Sequence, residues 1–93
     1  MTEDVLRKEM MIINKRGLHA RASAKFVQLV SGFDAAVEVE KDGVTVGGTS
    51  IMGLMMLAAS PGCAISITAS GTDAEAVVAA LEELVADRFG EEC

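Results

Sequence analysis

Tryptophan and tyrosine are missing from this 93-residue chain, phenylalanine occurs three times, and proline and histidine once each. Any core must therefore be built from Val, Leu, Ile, Met and Ala, with little help from large rings. The two cysteines, Cys63 and Cys93, form no C-x-x-C pair. Both read as reduced thiols outside any disulfide framework, with terminal Cys93 expected to fray. One histidine without clustered cysteines makes a zinc site improbable, so no metal and no cofactor is expected. No apolar run approaches the ~20 residues that span a bilayer, which argues against membrane insertion. The opening "MTEDVLRKEM" also lacks the apolar stretch of a signal peptide, and a cytoplasmic location is expected.

Positive charge is scarce as well. The net charge of −6 argues against sequence-independent nucleic-acid binding, where a basic face supplies most of the affinity. What positive charge exists is gathered in one place. "NKRGLHARASAKF", residues 14 to 26, holds Lys15, Arg16, Arg21 and Lys25 around the single histidine and contains no acid. Outside that stretch acids outnumber bases by 14 to 4, and residues 43 to 72 carry no charge at all. The target of so local a cluster should be small, or itself local.

At this length the chain is one domain, residues 1 to 93, with room for a single modest core. "EMMII" (9 to 13) suggests a strand. Ala, Lys, Gln and Leu dominate from Ala20 to Val30, where Ala22, Phe26, Leu29 and Val30 share a helical face and Gly32 supplies a stop. "AVEVEKDGVTVGG" alternates, with Val37 and Val39 on one side and Glu38 and Glu40 on the other. Asp42-Gly43 between two alternating runs is a hairpin signal. "TSIMGLMML" reads as a short capped helix ending near Ser60-Pro61-Gly62. "AISITAS" alternates again, with Ile65, Ile67 and Ala69 inward. "TDAE" (72 to 75) has the form of a capping box, with Thr72 as cap and Glu75 reaching back. Val77, Leu81, Leu84, Val85 and Arg88 follow at helical spacing until Gly90. The order β-α-β-β-α-β-α predicts a two-layer α+β domain, three helices covering one face of an antiparallel sheet.

A helix beginning at Ala20 places His19 at its cap. The first-turn N–H groups there have no helical partners and bring the positive end of the helix dipole. Such a terminus is an anion site, with phosphate its usual guest. Arg21 can offer a guanidinium fork to phosphate oxygens, and Arg16 and Lys15 approach from the preceding loop. The same positive field favours a neutral imidazole, whose free lone pair can act as a nucleophile. Positive charge would then help twice, by keeping the ring nucleophilic and by holding a phosphorylated product.

"GLHARASAKFVQL", followed about thirty residues later by "GTSIMGLMMLAASPG", strongly resembles the HPr family of phosphocarriers of the bacterial phosphotransferase system. The resemblance extends over nearly the whole chain. It implies an open-faced sandwich with strand order 1-4-2-3. It also implies reversible phosphoryl transfer rather than stand-alone catalysis. Enzyme I would phosphorylate His19 at Nδ1, and an enzyme IIA protein would receive the group. Arg21 corresponds to the family's companion arginine. The backbone of Ala20, Arg21 and Ala22, with Arg16, would hold the phosphate. Family members usually carry proline directly after that arginine. Ala22 stands here instead and adds one N–H to the first turn.

Ser50 corresponds to the family's regulatory serine, the target of HPr kinase/phosphorylase. A serine at a helix start is commonly only a cap. A phosphoserine there is locally tolerated and would put about −2 charge beside an uncharged surface. Ile51, Met52 and Met55 are candidates for a partner surface, since flexible apolar side chains suit several partners in turn. Leu54 and Leu57 are expected inside. A monomer is expected, because a carrier needs its active face free between encounters. The alternative reading is a non-carrier regulatory module acting through Ser50 and protein contacts.

Overall fold

The computed structural model describes residues 5–92; Cys93 lies outside the described residues. Four antiparallel strands, β1 (Val5–Met11), β2 (Ala36–Lys41), β3 (Val44–Gly47) and β4 (Ala64–Ser70), form one sheet in the order β1-β4-β2-β3. Helices α1 (Ala20–Ser31), α2 (Ile51–Met56) and α3 (Ala74–Ala86) complete the two-layer α+β domain, and a short turn, Arg88–Gly90, follows α3.

Strand alternation decides which residues meet the helices. Val37, Val39, Ile65, Ile67 and Ala69 are buried, as a sheet with one covered face requires. Phe26 and Val30 of α1, Leu54 of α2, and Val77, Leu81 and Val85 of α3 close the core from the other layer. On the open face, Arg7 of β1 reaches Glu40 of β2 at 3.1 Å, an exposed pair that adds little stability. The β2–β3 hairpin turns on Asp42 (φ 52°) and Gly43 (φ 82°). Two positive-φ residues between the paired Lys41 and Val44 match the twist of the flanking strands.

Several boundaries differ from those the sequence suggests. β1 starts at Val5 and ends at Met11, not 9 to 13. Its charged half stays in register with β4, because Arg7 and Glu9 point to the open face. α2 stops at Met56, well before Pro61, and Ala58 then turns left-handed (φ 54°). α3 is capped by Asp73 rather than Thr72, and no capping box closes. The Asp73 carboxylate instead accepts from the Asp34 backbone at 2.7 Å, tying α3 to the loop before β2. At its other end α3 finishes at Ala86, so exposed Arg88 is not part of its apolar face and Gly90 does not end it.

The loop that carries the histidine is fixed by a close approach. Leu18 N–H donates to Ala59 O at 2.9 Å, and Gly17 sits beside the same carbonyl with φ 64°. A Cβ at Gly17 would lie 2.2 Å from Ala59 O. Gly17→Ala therefore combines a left-handed backbone penalty with a collision against main chain. It should lower unfolding free energy by at least about 2 kcal/mol in a urea titration.

Candidate functional site

His19 is the N-cap of α1, in extended conformation (φ −74°, ψ −178°). The helix starts here because its first complete backbone bond, Ser23 N–H to His19 O, closes at 2.9 Å. The Ser23 hydroxyl donates back to Leu18 O at 3.2 Å, which helps fix the entering chain. His19 Nδ1 accepts from the Arg21 backbone N–H at 3.3 Å. Its lone pair is thus aimed at the first turn, among the amides of Ala20, Arg21 and Ala22. The Ala22 side chain is fully buried against the core, so that position serves both packing and the first turn.

The other face of the ring meets a group the sequence did not suggest. His19 Nε2 is hydrogen-bonded to a Glu91 carboxylate oxygen. The second oxygen of Glu91 accepts from Asn14 Nδ2 at 3.0 Å, and that amide also donates to Gly17 O at 2.8 Å. Asn14 is fully buried. The His19 side chain is 24% exposed and that of Glu91 18%, so the ring is reachable and half enclosed.

Glu91 arrives by an unusual path. Arg88 (φ 55°), Phe89 (φ 55°) and Gly90 (φ 78°) form a consecutive left-handed run that folds the tail back after α3. Phe89 anchors the reversal with a fully buried ring, and Lys25 of α1 donates to Phe89 O at 2.6 Å. Neither Arg88 nor Phe89 is a residue type that announces such a turn. Asn14 and Glu91, 77 positions apart, carried no local motif that could have found them.

On the Glu91 side of the ring, Lys15, Arg16, Arg21 and Lys25 line one depression with Gly90, Glu91 and Glu92. Lys15, Arg16 and Arg21 are exposed, and none closes an ion pair among the described residues. Free cationic side chains beside unpaired helix amides make a site for a dianion such as a phosphoryl group. The Asn14 hydrogen bond, with the bond to His19 and the charges of His19 and Arg16, holds the Glu91 carboxyl below the ordinary glutamate value of 4.5, against the opposing effect of burial. Being depressed in the fold, Glu91 contributes stability that is present above pH 4.5 and lost as pH falls through its lowered value. The thermal midpoint should therefore drop on acidification below that point, and Glu91→Gln should flatten part of the drop.

The second group of residues singled out from the sequence lies on α2. Ser50 caps that helix, its hydroxyl accepting from Gly53 N–H at 3.0 Å, and it is exposed. Ile51, Met52 and Met55 are exposed, Met52 at 73%, while Leu54 and Leu57 are buried. Met56 is exposed too, extending the patch beyond the residues picked from sequence. Cys63, half-buried and unpaired, lies elsewhere, with its thiol 3.4 Å from the Ser60 hydroxyl.

A histidine-capped helix with a cationic rim, on an open-faced β1-β4-β2-β3 sandwich, defines a phosphate-handling class of small α+β domain. Comparison with known proteins assigns it further. The family model described as "PTS HPr component phosphorylation site" matches residues 6–87, and the chain belongs to that family. It is 46% identical to the phosphocarrier protein HPr of Cupriavidus necator over 94% of this chain and 98% of that one. With the HPr of Neisseria meningitidis serogroup A it shares 48% identity at the same coverages. Among solved structures, an HPr from Thermoanaerobacter tengcongensis superposes with a TM-score of 0.90 at 43% identity, over 95% of this chain and 99% of that one.

Proposed function

We propose that this protein carries phosphoryl groups on His19, taking each from enzyme I and passing it to an enzyme IIA protein. The observation that carries the reading is the direction of the ring. Nδ1 accepts from the Arg21 amide, so its lone pair faces the first turn of α1, whose amides would hold phosphate oxygens. Nδ1 attacks the donated phosphorus as the donor's bond breaks. The Arg21 and Arg16 side chains steady the equatorial oxygens, and the first-turn amides of Ala20, Arg21 and Ala22 complete the cradle. Because the depression is open, the phosphoryl group is stabilised without being sealed in, as a carrier between two proteins needs. The protein acts in the cytoplasm, as a monomer between encounters. The exposed α2 patch of Ile51, Met52 and Met55 is the surface its partners meet.

The test is intact mass after incubation with enzyme I and phosphoenolpyruvate. An acid-labile gain of one phosphoryl group is expected. No gain, with an enzyme I shown to be active, would sink the carrier role.

One observation favours a second role alongside it. The exposed Ser50 hydroxyl sits at the α2 N-terminus next to Met52 and Met55. A kinase such as HPr kinase/phosphorylase could phosphorylate it without unfolding the helix, since the helix dipole favours an anion there. The added charge would alter partner choice at an otherwise neutral surface.

A further inference from the structure

The α2 surface that the carrier reading gives to its partners is rich in sulfur. Met52, Met55 and Met56, half of the six methionines in the chain, fall within a helix of six residues. We propose that these three thioethers are a modification site: a peroxide oxidises them to sulfoxides, and the oxidised surface docks enzyme I and an enzyme IIA protein poorly. The inference rests on the carrier reading above and adds a control on it that leaves His19 untouched.

Exposure singles the three out. Met52 is 73% and Met56 76% exposed, and Met55 is exposed beside them, whereas Met10 is buried in the core. Spacings of three and four residues bring their side chains to one side of α2. Leu54 and Leu57 are buried beneath, and α2 packs against α1 and β3, so the sulfurs stand on a fixed face.

The oxidation balances with the peroxide alone. A thioether lone pair takes one peroxide oxygen as the O–O bond breaks, and the other oxygen leaves as water with both protons. Sulfur is oxidised by two electrons and the peroxide is reduced by two. In reverse, two thiols of a reductant join as a disulfide while the sulfoxide oxygen leaves as water, so the modification is reversible.

For this surface the change is large. A flexible apolar side chain becomes a polar one bearing an acceptor oxygen. Residues 43 to 72 carry no charge, so docking at α2 depends on apolar contact rather than on ion pairs of its own. A partner shaped to a thioether offers no donor to the new oxygen, which is then buried unpaired. Met11 supplies the contrast: it is exposed too, but strand alternation turns it to the open sheet face, away from the helices. The half-buried Cys63 thiol would compete for the oxidant, so both cysteines are removed for the test.

In a Cys63→Ser/Cys93→Ser background, hydrogen peroxide is titrated onto the parent, onto Met11→Leu, and onto Met52→Leu/Met55→Leu/Met56→Leu. Peptide mass spectrometry locates the added oxygens. Phosphoryl transfer from enzyme I to enzyme IIA is measured before and after treatment, each protein serving as its own reference. The parent and Met11→Leu should lose transfer by about tenfold, as a raised KM, and regain it with methionine sulfoxide reductases. The triple variant should keep its own starting rate. Spontaneous phosphoryl loss in buffer should not change, because the chemistry at His19 is untouched, and circular dichroism checks the fold. Sulfoxides on α2 with unchanged transfer, or a triple variant that still loses transfer, overturn the proposal and leave the carrier reading standing. No phosphoryl gain by the untreated parent, with an active enzyme I, sinks the carrier reading and this inference with it.

Discussion

His19→Ala should gain no acid-labile phosphoryl group from enzyme I and phosphoenolpyruvate, and its delivery to an enzyme IIA protein should fall by about a thousandfold or more. The expectation follows from the construction of the site. The four cationic side chains and the first-turn amides can bind an anion, but an ammonium or guanidinium group has no free lone pair to offer phosphorus, whereas a neutral imidazole has one. An alanine cap still permits α1, which is held by Phe26 and Val30 in the core, so the loss should come without unfolding. The check is paired: phosphoryl gain by intact mass and fold by circular dichroism. A variant that still gains an acid-labile group would place the acceptor elsewhere.

The second large effect lies outside the charged rim. Phe89→Ala removes a fully buried ring from the point where the tail turns back, and should cost about 3–5 kcal/mol. A small domain holds only about 5–15 kcal/mol in all, so the variant should unfold at a much lower urea concentration. Phe89→Leu, which keeps apolar volume, should lose far less. The anchor also sets the site, since Lys25 bonds the Phe89 carbonyl and Glu91 follows two residues later. A Phe89→Ala protein at low temperature should thus lose the Glu91 contact, visible as a changed His19 ring nitrogen shift, before it loses the sheet.

Elements whose pattern is local were legible from the residues alone. The Val37/Val39 and Ile65/Ile67 alternation fixes which strand faces are buried. Asp42-Gly43 forms the two-residue turn it advertises, and α1 begins at the residue after the histidine. The His19–Arg21 relation could be read for the same reason, because a cap and the second residue of its helix are neighbours in sequence. What was not legible depends on distance in the chain or on backbone that residue type does not signal. Thr72 and Glu75 match a capping box, yet Asp73 takes the cap and gives its carboxylate to Asp34, 39 positions away. Charges in Arg7 and Glu9 hid half of β1, because an open sheet face tolerates them. The helical spacing to Arg88 gave no sign of the reversal at Arg88–Gly90, where two ordinary side chains sit at positive φ. Glu91 follows that reversal with no local pattern to mark it, although it is the one carboxylate bonded to the ring among the described residues.

The most direct test of the account is a nitrogen–phosphorus NMR experiment on the phosphorylated protein with its histidine ring labelled. Coupling of phosphorus to the Nδ1 of His19 is the predicted result. Coupling to Nε2, or a phosphorus signal belonging to Ser50 alone under enzyme I and phosphoenolpyruvate, would contradict it.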